Sequence, residues 1–132
     1  MERANMNNLE NLIIEGTSSS PSVFFETNGH LHISGRSMPD NPSKAFEPLF
    51  VWLEQLEVNT ILFDIQLDYL NTSSSLQLFT LLRMIDESEI FEKCTVNWHY
   101  EADDEDALES GQIFEDFLIK AEFRYHEYSE AA

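Results

Sequence analysis

The chain is poor in four things, and each shortage removes a class of protein. It has one cysteine, Cys94, so no internal disulfide can form and a reducing, cytoplasmic compartment is expected. It has only four glycines among 132 residues. No glycine-rich phosphate loop or dinucleotide fingerprint can be built from them. It has 7 Lys and Arg against 25 Asp and Glu, a formal net charge of −18. Nucleic acid and anionic membranes are bound through basic side chains, so neither is an expected partner. No apolar run approaches the roughly 20 residues of a membrane span. The opening MERANMNNLENLIIEG lacks the basic start and long apolar segment of a signal peptide.

What is present is core material and acidic surface. The chain is 42% hydrophobic, with ten Phe, four Tyr and two Trp, enough to bury one core without metal or disulfide staples. A single domain over residues 1–132 is expected, with residues 1–8 as a polar tail. The acidic excess keeps such a domain soluble and speeds encounter with protein partners that present basic faces.

Periodicity gives the element order. LENLIIEG at 9–16 holds a short strand. VFFET and HLHISG flank Asn28-Gly29, a hairpin signal in which both turn positions are expected to tolerate positive φ. RSMPDNPSK at 36–44 is a loop. Phe46, Leu49, Phe50, Leu53 and Leu56 then recur at helical spacing, with Ser43 as N-cap and Pro48 expected to delay or bend the helix. TILFDIQ at 60–66 is a buried strand. A second helix spans about Ser73 to Glu87. KCTVNWHY at 93–100 is a strand, a third helix follows an acidic loop, and FRYHEY at 123–128 closes the chain. The order β-β-β-α-β-α-β-α-β predicts an α/β fold, a mixed sheet with an N-terminal hairpin and about three packed helices.

Chemistry is scarce in this pattern. No GxSxG nucleophile elbow is present. The acidic stretch EADDEDALESGQ fails the calcium-loop spacing, so Asp103, Asp104, Glu105 and Asp106 read as carboxylates at a helix N-terminus and not as metal ligands. His30 and His32 alternate on one strand face; with no cysteine or third histidine close in sequence, packing is the expected role and no metal is assigned. No cofactor is expected.

The stretch LDYLNTSSSLQLFTLL, residues 67–82, stands apart. Thr72, Ser73, Ser74 and Ser75 crowd a strand-to-helix junction. Either Asn71 or Thr72 caps the helix and the serines fill its first turn, or a hydroxyl there carries function. A helix N-terminus accepts a phosphate through free N–H groups and its dipole. Phosphorylation would add about −1.5 to −2 charges beside apolar Tyr69 and Leu70. The residues alone leave both readings open. Two further readings stand beside them: a small serine hydrolase or acyl carrier that uses the Thr72–Ser75 run, and a passive acidic interaction domain.

YLNTSS, the amphipathic helix after it and the strand ending in Trp98-His99-Tyr100 resemble the SiaC family of bacterial regulatory phosphoproteins, a likeness that covers most of the chain. The resemblance implies a STAS-like fold, as in anti-sigma-factor antagonists, and no catalysis. It implies a partner-switching component whose threonine is phosphorylated by a dedicated protein kinase and dephosphorylated by a PPM-type phosphatase. It further implies that the dephosphorylated form binds an output protein, a diguanylate cyclase, which links it to cyclic di-GMP and biofilm signalling. The motif threonine falls on Thr72, with Tyr69, Leu70, Asn71, Ser73 and Ser74 as flanking or partner-binding positions.

Overall fold

The computed structural model describes residues 8–129. The polar tail expected over 1–8 therefore falls, apart from Asn8, outside the described residues. Six strands and three helices follow in the expected order: β1 (Leu12–Ile14), β2 (Ser22–Phe25), β3 (His30–Ser37), α1 (Pro42–Gln55), β4 (Thr60–Leu70), α2 (Thr72–Glu87), β5 (Lys93–Glu101), α3 (Glu105–Phe117) and β6 (Glu122–Tyr128). The strands lie side by side in sequence order in one sheet. The first three pair antiparallel, and β3 to β6 run parallel.

That monotonic order decides where the helices go. Each parallel step is a strand-helix-strand crossover, and such crossovers are right-handed. Three of them advancing in one direction place all three helices on the same face. The register shows the consequence. Phe25, Leu31, Phe63, Val96 and Phe123 are cross-strand neighbours in one row, and all are buried. They meet Phe46, Leu49 and Leu53 of α1, Leu78, Leu81 and Ile85 of α2, and Phe114 of α3 in one core. Strand side chains alternate between faces. The neighbouring row, Phe24, His32, Asp64, Asn97 and Arg124, therefore looks away from the helices. Among the described residues the fold is thus two layers, with one sheet face left open.

Local details correct several sequence expectations. In the turn before β3 only Gly29 takes a positive φ, +96°; Asn28 does not. Gly29 N–H donates to Glu26 O, and Glu26 N–H to His30 O. A side chain at Gly29 would run into Thr60 O, so glycine is needed twice over. Helix α1 is capped by Asn41, whose Oδ1 accepts from Lys44 N–H at 3.2 Å, and not by Ser43. Pro42 takes the first helical position, where its missing donor costs nothing. The helix therefore starts early and runs through Pro48, which faces solvent.

Two polar ties fix the far end of the helical layer. The buried Asp86 carboxylate accepts from three backbone N–H groups, Ile119 at 3.0 Å, Lys120 at 2.7 Å and Ala121 at 2.8 Å. Lys120 Nζ donates back to the carbonyls of Ser88 and Phe91. Cys94 is buried; desolvation, reinforced by the Asp86 charge, pushes its thiol up to about 12, so it packs as an inert apolar group.

Candidate phosphoacceptor site

Strand β4 reaches four residues beyond the expected Gln66. A bulge at Gly35/Arg36 lets β3 and β4 stay paired, Arg36 with Tyr69 and Ser37 with Leu70. Tyr69 and Leu70 are thus strand residues at the carboxyl edge of the sheet. Tyr69 is 48% exposed, and the Arg36 guanidinium lies 5.6 Å from its ring centre. This edge is where open α/β sheets present their functional groups.

Asn71 makes the turn from strand to helix. Its backbone is extended, with φ −74° and ψ 167°, and its Oδ1 accepts from Ser74 N–H at 2.8 Å. Its own N–H donates to Ser37 O, and its carbonyl accepts from Ser75 N–H. Asn71 is therefore the cap, which frees Thr72 from that duty. Thr72 is the first helical residue and is exposed. Ser73 is also exposed. Ser74 is 0% exposed and its Oγ has no hydrogen-bond partner among the described residues, so it does not present a hydroxyl to a partner or a modifying enzyme.

The N-termini of α2 and α3 differ in charge. Helix α3 carries Glu105 and Asp106 in its first turn, and its cap Asp104 accepts from Ala107 N–H at 3.0 Å. Those carboxylates already answer the positive end of the helix dipole. Helix α2 has no acidic residue in its first turn. A dianion on Thr72 would meet N–H donors there without a resident negative charge on the same turn.

Two neighbouring features escaped the sequence reading. One is a cleft of about 220 Å³ lined by Leu67, Tyr69, Leu70, Trp98, Asp104 and Ala107, among others. It joins the edge of β4 to the Trp98 strand and the start of α3. Trp98 Nε1–H donates to Ala107 O at 2.9 Å, and Gly111 lets α3 lie on the indole, since a Cβ there would come within 2.8 Å of it. The other is Leu76, 64% exposed, one helical turn after Thr72 and on the same side of α2. Helical spacing from Thr72 was enough to find it.

The four histidines lie elsewhere, on the open sheet face. Among the described residues none is hydrogen-bonded or ion-paired to Ser73 or Ser74. His30 Nε2 and His99 Nε2 bond the two oxygens of Asp64, at 2.7 and 3.3 Å, and His126 bonds Asn97. His99, distant from His30 and His32 in sequence, reaches the same carboxylate through the parallel pairing of β3, β4 and β5. Desolvation alone would raise the Asp64 pKa. The bonds from His30, His99 and Asn97 and the nearby His32 outweigh it, so the carboxyl sits below its ordinary value. Asp64 itself was missed; a lone charge in the apolar strand TILFDIQ was the available signal.

The chain is thus a two-layer α/β domain whose exposed threonine opens a helix at the sheet edge. The SiaC family regulatory phosphoprotein model matches residues 14–128, and the chain belongs to that family. It is 28% identical over 111 residues to an uncharacterised protein of Pseudomonas aeruginosa strain UCBPP-PA14, covering 80% of this chain and 88% of the relative. It superposes with a TM-score of 0.79 at 26% identity on a chain from the crystal structure of the P. aeruginosa diguanylate cyclase SiaD in complex with its activator SiaC, covering 89% of this chain and 99% of that one. Against apo-SiaC of P. aeruginosa the TM-score is 0.72 at 26% identity, covering 88% and 98%.

Proposed function

We propose that this chain is a non-catalytic, cytoplasmic switch protein in which phosphorylation of Thr72 controls binding to an output protein. The observation that carries the reading is the placement of Thr72: exposed, first in its helix, relieved of capping by Asn71, and followed by exposed Leu76 on the same side. A partner covering Leu76 and Tyr69 would have to enclose any phosphate on Thr72. Burying that dianion without a basic partner costs several kcal/mol, while about 1.4 kcal/mol already changes affinity tenfold. One phosphate therefore releases the partner without unfolding the domain. The likeness to the SiaC activator seen with SiaD makes a diguanylate cyclase the favoured output protein. A protein kinase and a PPM-type phosphatase set the phosphorylation state.

The test combines intact-mass analysis of protein from its native host with capture of the cyclase by wild type, Thr72→Ala and Thr72→Asp. Expected are a phosphatase-sensitive mass increase on Thr72, retained capture by Thr72→Ala and weakened capture by Thr72→Asp. Equal capture by all three with no phosphate on Thr72 would overturn the proposal.

A further inference from the structure

We propose that the open sheet face binds a divalent transition-metal ion of the zinc class through Glu26, His30 and His32, with Asp64 orienting His30 from behind. One donor atom from each of Glu26, His30 and His32 can be chosen so that all lie within 4.8 Å of one another. His30 Nδ1 is 3.8 Å from Glu26 Oε1. Tetrahedral zinc with bonds of about 2.0–2.2 Å to imidazole and carboxylate holds its ligand atoms roughly 3.5 Å apart. The Glu26–His30 pair, at 3.8 Å, is already close to that spacing.

The second ring nitrogen of His30 supplies the stronger argument. Its Nε2 is 2.7 Å from Asp64 Oδ2. A ligating histidine ordinarily donates its other N–H to a carboxylate, which fixes the tautomer and makes the free nitrogen a better ligand. Here Asp64 on one side of the ring and Glu26 on the other create that arrangement. His32 Nδ1 stands 3.7 Å from the same Asp64 oxygen, and its ring packs against His30 at 4.1 Å and Phe24 at 6.1 Å between centres. The backbone is held as well. Glu26 and His30 flank the Gly29 turn, closed by Glu26 N–H to His30 O and by His30 N–H to Asn28 Oδ1.

The donor set selects the metal. Two imidazoles with one carboxylate suit zinc, nickel and copper, whereas calcium and magnesium take oxygen ligands. Three protein ligands leave a fourth position for water or a partner's side chain. The −18 formal charge of the chain also draws cations to its surface.

The experiment uses tag-free full-length protein, stripped with chelator and titrated calorimetrically with zinc chloride, with cobalt(II) absorbance as a second probe. Wild type should bind one ion and show a raised thermal midpoint. Glu26→Gln and His32→Ala should each lose stoichiometric binding, and Asp64→Asn should bind about 10–100-fold more weakly. His126→Ala, on the same face but outside the trio, should bind like wild type. Binding should weaken in mild acid, because ligating imidazoles must be neutral. Circular dichroism without metal checks the fold of each variant; should His32→Ala misfold, Glu26→Gln decides alone. No one-to-one binding by wild type, or undiminished binding by Glu26→Gln, would overturn the proposal.

Discussion

The carboxyl edge at Thr72 and the open face around Asp64 are both polar regions of one sheet, yet they are assembled in opposite ways. The edge comes from consecutive residues, Tyr69 through Leu76, at a single strand-to-helix turn. The open face draws Glu26 from a turn, His30 and His32 from β3, Asp64 from β4 and His99 from β5. The start of α2 is set by one cap at Asn71, while Tyr69 and Leu70 before it are held by pairing with β3. A face assembled from several strands depends on the sheet register, since a one-residue slip would turn all its side chains into the core.

The largest expected effect tests whether the edge is as local as this suggests. Gly111→Ala should cost about 1–3 kcal/mol by overpacking against Trp98. It should also disturb the cleft beside Leu70, while leaving the histidine face unchanged. Urea unfolding gives the energy, and histidine NMR resonances report on the open face. Shifts at His30 and His32 as large as those at Trp98 would break the separation of the two regions.

A smaller effect distinguishes cap from phosphoacceptor. Asn71→Ala removes the bond to Ser74 N–H and should cost about 1 kcal/mol. Thr72→Ala removes no cap and, because Ala is the better helix former, should be neutral to slightly stabilising. Chemical denaturation of the two variants gives the comparison. Equal losses would return the capping role to Thr72.

Asp64→Asn sharpens the contrast through pH. The Asp64 pKa is lowered in the folded chain. Its contribution is therefore present above the ordinary carboxylate value and is lost as pH falls through the depressed one. Wild type should exceed the variant in stability near neutrality, with the gap narrowing only below about pH 4. Denaturation from about pH 4 downward checks the sign; a gap that grows over that range would contradict it.

Ser74→Ala should have the smallest effect, between neutral and slightly stabilising. Its Oγ is buried without a partner among the described residues, so the hydroxyl is desolvated without return. Thermal unfolding measures the stability, and partner capture should be unchanged. A loss of partner binding would revive a functional role for that serine.

Much of the molecule was readable in advance because it rests on short-range rules. Strand-like runs such as TILFDIQ and KCTVNWHY set the strands, 3.6-residue periodicity set the helices, and their order implied a mixed sheet with about three packed helices; that all three share one face came from the strand order. Asn71 was named as one of two caps, and the hydroxyl run lies at the helix start expected for it. The end of β4 was misjudged because its last residues are held by pairing with β3 past a bulge, a long-range bond with no local pattern. The same holds for the early start of α1, where the Asn41-Pro42 pair outweighed the awkward Pro48.

The sequence by itself determined the elements, the acidic character and the position of Thr72 at a strand-to-helix junction, because each depends on residues within a few positions of one another. The tertiary structure alone decided that Ser74 is buried while Thr72 is exposed, and that Trp98 and Asp104 border the Tyr69 edge. It also decided that His30, His32 and His99 gather around Asp64. These placements depend on which strands lie side by side and in what register, and that is fixed by burial of the whole core row from Phe25 to Phe123.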